Sequence, residues 1–121
     1  MSKIVHFEVP ADDTGRAKAF WGSLFDLEFQ TFEGPIEYNM FQNDDQTGGG
    51  IYPRQMGEKG LICYFNTDDI EGMSQRVREL GGTTDEKQSV PGMGWFARAE
   101  DTEGNSFSLW QSDSSAPSTQ A

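Results

Sequence analysis

The strongest constraint on this chain is that its sequence contains the same pattern twice. His6-Phe7-Glu8-Val9-Pro10-Ala11-Asp12-Asp13 aligns without a gap on Ile62-Cys63-Tyr64-Phe65-Asn66-Thr67-Asp68-Asp69, and in each copy a β-rich run ends in paired aspartates. Farther along, Gly50-Ile51-Tyr52 aligns on Ser108-Leu109-Trp110 once a single loop indel is allowed. Self-similarity on this scale marks a structural unit used twice, so both halves should follow the same local path.

Each copy reads as a strand, a helix and three short strands. Ile4 to Val9 is apolar and strand-like, and Asp12-Asp13-Thr14 offers capping side chains. Beyond them Ala17, Phe20, Trp21, Leu24 and Phe25 recur at helical spacing. Leu27 to Phe32, Glu37 to Gln42 and Gly49 to Tyr52 are then predicted strands, separated by Gly-Pro and by the polar run Asn43 to Gly48. The second copy places a strand at Leu61 to Phe65, a cap at Asp68-Asp69 and a helix at Ile70 to Leu80. Ile70, Met73, Val77 and Leu80 form that helix's apolar stripe, and Gly81-Gly82 ends it. Strands follow at Thr84 to Val90, Trp95 to Glu100 and Ser106 to Gln111, with turns at Pro91-Gly92 and Asp101 to Asn105. The expected organisation is one α+β domain over residues 1–111, with βαβββ modules at about 4–52 and 61–111 and a disordered polar tail at 112–121.

Composition narrows the partners. Twenty acidic against nine basic residues give a formal charge of -11, which repels polyphosphates and anionic bilayers. Neither nucleic acid nor a membrane is an expected partner. No run is long enough to cross a bilayer, and Met1-Ser2-Lys3-Ile4 enters a strand-like run without the apolar stretch of a signal peptide, so cytoplasmic residence is expected. Cys63 is the sole cysteine and sits in an apolar run, where it packs as a small hydrophobe. Gly48-Gly49-Gly50 reads as a place of close approach, since nothing around it makes a phosphate loop.

His6 to Asp13, the helix with Ala19-Phe20-Trp21, and Asp101-Thr102-Glu103-Gly104-Asn105 before Phe107-Ser108-Leu109-Trp110-Gln111 together resemble the vicinal-oxygen-chelate superfamily of glyoxalases, bleomycin-resistance proteins and dioxygenases. Within it the chain is similar to the small proteins related to lactoylglutathione lyase. The resemblance implies two βαβββ modules forming a cupped mixed sheet around a cavity, with the helices on the convex face. The modules pair either within one chain or by exchange in a homodimer. In many members the cavity holds a divalent metal that chelates vicinal oxygens of the substrate, and in others it holds an organic ligand without one.

The resemblance also implies four ligand positions, and here they read His6, Gly50, Ile62 and Ser108. Glycine and isoleucine offer no side-chain donor, whereas a catalytic metal ordinarily has three protein ligands. No cofactor is therefore expected, with a divalent metal as the alternative. His6 and Glu8 share a strand face and form a candidate acid–base pair, in which Glu8 would orient the imidazole or raise its pKa. By alternation and by the repeat, Tyr38, Met40, Tyr52, Tyr64, Trp95 and Trp110 are expected to line the cavity beside Ile62 and Ser108. Phe7, Val9, Phe20, Leu24, Phe65, Val77, Phe107 and Leu109 are left to fill the helix-facing core. The resulting expectation is a binder of a small organic molecule in an aromatic-lined cavity. The alternative is a glyoxalase-like lyase, isomerase or dioxygenase using an unconventional metal site or the His6/Glu8 pair.

Overall fold

The computed structural model describes residues 2–42 and 47–118, so the predicted turn at Asn43 to Gly48 lies largely outside the described residues. The chain divides into two compact units, Val5–Cys63 and the segments on either side of it. In the first, β1 (Ile4–Ala11) leads to α1 (Thr14–Phe25), followed by β2 (Gln30–Phe32), β3 (Tyr38–Gln42) and β4 (Gly48–Pro53). The strand order is β2-β3-β4-β1, with β1 and β4 parallel and the other neighbours antiparallel. A parallel pair needs a crossover, and α1 with β2 and β3 provides it.

Asp13 starts α1 by accepting a hydrogen bond from the Arg16 N–H at 2.9 Å. Asp26 ends it in the left-handed region, φ 56°. Along β1, Phe7, Val9 and Ala11 point to the helix side, where Val9, Ala11 and Ile51 form a buried cluster with Phe7, Ala17, Trp21 and Phe29 packed on it. The sequence expectation put Phe20 and Leu24 in this core, but they are 61% and 60% exposed. Ala17 and Trp21 form the line of α1 that meets the sheet. Phe20 and Leu24 sit at the margin of the apolar arc, where Phe20 packs edge-on against Trp21. Asn39 is wholly buried on this side, accepting from the Thr31 hydroxyl and donating to Glu37 and to the Ile51 carbonyl.

The second repeat runs β5 (Ile62–Asn66), α2 (Ile70–Glu79), β6 (Thr83–Thr84), β7 (Gln88–Val90), β8 (Gly94–Glu100) and β9 (Ser106–Ser112). Its order is β5-β9-β8-β6, with β7 also on β8, and β5 and β9 form the parallel pair. The single strand expected at Thr84 to Val90 is thus two short ones. The Asp85 N–H bonds the Arg98 carbonyl as the chain leaves β6, and the ladder to β8 resumes only at Gln88. Asp69 caps α2 through the Gly72 N–H, and the Gln111 side chain of β9 accepts from the Ile70 N–H at 2.8 Å. Gly81, at φ 102°, lets the chain turn out of the helix, and the Gly82 N–H then bonds back to the Val77 carbonyl. Ile70, Ala97 and Leu109 make the buried cluster, with Met73, Val77, Trp95 and Phe107 against it. Leu80, expected in the stripe, is 62% exposed because it lies beyond the last helical residue.

The disordered tail expected at 112–121 is corrected for 112–118. Ser112 ends β9, the Asp113 N–H bonds the Met93 carbonyl, and the Gly92 N–H bonds the Ala116 carbonyl. Asp113 accepts from the Trp95 indole at 3.0 Å, and Ala116 is buried. The polar composition concealed these links because their partners lie in the β7–β8 turn, and residues 119–121 are outside the described residues. Ending the chain after Ser112 should lower stability by about 2 kcal/mol, the scale of a lost buried hydrogen bond plus a little apolar burial. Urea unfolding measures this, and an unchanged midpoint would show the segment to be unimportant.

Candidate functional site

Face assignments follow from the ladders. In the first repeat His6, Glu8, Met40, Gly48, Gly50 and Tyr52 share the face opposite the helix, with Gly50 between Glu8 and Met40 in register. Tyr38 starts from the same face of β3 and leans across β4 to reach β1. Its hydroxyl lies 2.6 Å from His6 Nε2, with the two rings 16° from coplanar. The crossing is possible because β4 has no side chain in the way, since a Cβ on Gly50 would overlap the Tyr38 phenol ring. Gly49 is equally tight on the opposite face, where the Phe41 ring and the Phe7 carbonyl close on it. The three glycines form a side-chain-free track, in agreement with the close approach expected of them.

This arrangement tests the fit of a metal directly. The space at Gly50, one of the four ligand positions the resemblance implies, is filled by a phenol ring. The Nε2 position of His6 is committed to the Tyr38 hydroxyl, whichever partner carries the proton. Among the described residues, no group of three or more His, Cys, Asp or Glu side chains comes together as a metal site would need. The described side chains around His6 and Gly50 do not assemble the donor set of a divalent-metal site.

The acid–base expectation also changes. Burial pushes the His6 pKa down from 6.5 to about 4, opposite to the rise expected from a Glu8 partner. Glu8 is buried on the same face, but the ring contact of His6 is with Tyr38. The imidazole is therefore neutral throughout the physiological range. Met40 is half-buried and Tyr52 buried, and the Tyr52 hydroxyl donates to Glu58 at 2.7 Å. Burial acts to raise the Glu58 pKa. The Tyr52 hydroxyl and the N–H groups around Glu58 outweigh it and hold the carboxyl at about 2. Sequence reasoning missed Glu58 because a polar turn residue gives no signal of what it will clamp.

In the second repeat the face opposite α2 carries Tyr64, Phe96, Arg98, Ser108 and Trp110. Ser108 lies between Tyr64 and Arg98 in register, and Trp110 opposes Phe96. Ile62, by alternation with Tyr64, shares this face of β5 and is 1% exposed. Ser108 is fully buried, and its hydroxyl has no hydrogen-bond partner among the described residues. Trp95 does not join this face. It opposes Gln111, packs on the α2 cluster, and has the Lys87 ammonium 4.4 Å from its ring centroid. Phe96 and Arg98 take the places that parity alone gave to Trp95. They were legible in principle, since the Asp101 to Asn105 turn sets Glu100 opposite Ser106 and counting back brings Phe96 to Trp110.

No protein-family model matches the chain. A glyoxylase-like domain-containing protein of Didymella fabae is 28% identical over 118 residues, covering 88% of this chain and 91% of that protein. A hypothetical protein of Bacillus halodurans C-125 superposes with a TM-score of 0.71 at 14% identity, over 93% of this chain and 95% of that one. A methylmalonyl-CoA epimerase in complex with methylmalonyl-CoA and NH4+ gives 0.71 at 13% identity, over 96% and 98%. The Streptomyces coelicolor epimerase with 2-nitronate-propionyl-CoA gives 0.69 at 14%, over 94% and 96%.

Two measurements check the geometry. His6 is the sole histidine, so its proton resonances should titrate near pH 4 rather than 6.5. Because the folded pKa is the lower one, the stability gained by keeping His6 neutral is present above pH 6.5 and is lost as the pH falls from 6.5 through 4. A resonance titrating at 6.5 would show an exposed imidazole. Gly50→Ala should destabilise by about 1–3 kcal/mol through overpacking, and by much less in a Tyr38→Ala background. Additive effects in that double-mutant cycle would mean that the ring does not occupy the Gly50 space.

Proposed function

Taking this chain as a protein of the vicinal-oxygen-chelate fold, we propose that it binds a small organic molecule on the strand faces opposite its helices, without a catalytic divalent metal. The observation that carries this reading is the Tyr38 phenol resting on Gly50 and bonded to His6 Nε2. One side chain thereby takes both the space beside Gly50 and the Nε2 position of His6. The face opposite α2 is rich in aromatic groups, with the half-buried Phe96 and Trp110 beside Tyr64 offering flat apolar area and Ser108 a polar contact. Two solved proteins of similar fold hold acyl-CoA ligands, so the architecture tolerates an organic guest of some size.

Elemental analysis of untagged protein, incubated with nickel, zinc, iron or manganese and then desalted, should give substoichiometric metal. Stoichiometric metal that disappears with His6→Ala would overturn the reading. In a thermal-shift screen of organic ligands, at least one class should stabilise the wild type, and failure across a broad library would argue equally against it. Trp110→Ala should weaken an aromatic ligand about 2- to 12-fold, the equivalent of 0.5–1.5 kcal/mol for one aromatic contact.

One observation favours a second reading, in which the chain is a metal-independent proton-transfer enzyme. A neutral imidazole hydrogen-bonded to a phenol can pass a proton. That reading requires exchange of the α-proton of an acyl-CoA such as methylmalonyl-CoA in D2O, lost with Tyr38→Phe. The binding reading expects no exchange above the buffer rate.

A further inference from the structure

We infer that Ser108 is the polar anchor of a subsite for a planar aromatic ligand carrying one hydrogen-bonding group, an inference that rests on the binding reading above. Its first support is an unmet requirement. A buried hydroxyl without a partner costs stability, and native proteins seldom leave one so. Among the described residues, Ser108 Oγ is such an atom, in a side chain that is 0% exposed.

The surroundings sharpen the point. In register, Ser108 has Tyr64 on one side and Arg98 on the other, both able to donate. Both are engaged elsewhere and neither bonds Oγ. The hydroxyl can act as donor or acceptor, so it suits a phenol, an enol or a ring carbonyl alike.

Two positions along β9 the chemistry changes from polar to flat. Trp110 faces Phe96 across the ladder, and Phe96 lies 6.4 Å from Tyr64, ring centroid to centroid. Trp110 passes over Gly94, whose missing side chain leaves room for the indole. The indole N–H donates to the Ser112 hydroxyl, which leaves its ring faces as apolar surface. Phe96 and Trp110 are only half-buried. A ring laid on this pair and extending along β9 would bring its polar substituent to Ser108. A small displacement of the side chains that bury Ser108 must accompany entry.

The test compares 2-naphthol with its isostere 2-methylnaphthalene by quenching of tryptophan fluorescence in the full chain. The wild type should prefer the naphthol about 10-fold, the scale of one hydrogen bond to an otherwise unsatisfied buried group. In Ser108→Ala that preference should vanish while the thermal midpoint stays level or rises, since the orphan hydroxyl is gone. Phe96→Ala should weaken both probes together. Equal binding of the two probes to the wild type overturns the inference, as does a preference that survives Ser108→Ala. Failure of both probes to bind overturns the aromatic class. Should Ser108→Ala not fold, Ser108→Gly and the wild-type preference supply the same readout. These failures are distinct from failure of the parent reading, which is decided by metal content and the wider ligand screen.

Discussion

In each repeat the first strand lies parallel to the last, β1 beside β4 and β5 beside β9, and the chain between them must return over one face of the sheet. The helix makes that return, so one face of the parallel strands is committed to helix packing before any question of function arises. The buried clusters around Val9 and Ile51, and around Ile70, Ala97 and Leu109, are the consequence. The same pairing sets residues distant in sequence side by side on the opposite face: Glu8 with Gly50, and Tyr64 with Ser108.

The two repeats use that opposite face differently. In the first, the run Gly48-Gly49-Gly50 leaves the opening half of β4 without side chains, and a tyrosine from the neighbouring strand crosses the gap to a histidine. The polar groups satisfy one another, and burial keeps the imidazole neutral. The glycine at position 50 is thus part of one packing arrangement, in which the phenol needs the glycine and the histidine gains a partner.

In the second repeat the corresponding positions are apolar or unsatisfied. Ile62 is buried as a hydrophobe, and Ser108 is buried without a hydrogen-bond partner among the described residues. Aromatic groups stand beside that hydroxyl at Tyr64, Phe96 and Trp110. One face has resolved its polar requirements internally, while the other retains one that a guest could meet.

The repeat, both helices with their aspartate caps, and the strand faces of β1, β5 and β9 were legible in the sequence, because capping and alternation act over a few residues. His6, Glu8, Tyr64, Ser108 and Trp110 were placed on their faces for that reason. Trp95 was misplaced because its face depends on the register of β8 against β9, which a count along one strand does not supply. Phe20 and Leu24 match the helical period, yet only the Ala17–Trp21 line of α1 meets the sheet, since a period gives a direction and not the width of the contact. The tail looked unanchored because its partners lie in a turn about 20 residues upstream, a spacing that local pattern reading does not cover. The contact of Tyr38 with His6 and the missing partner of Ser108 were decided by the tertiary structure alone. A hydrogen bond made or left unmade depends on where side chains from separate strands come to rest, and that is settled only when the ladders close.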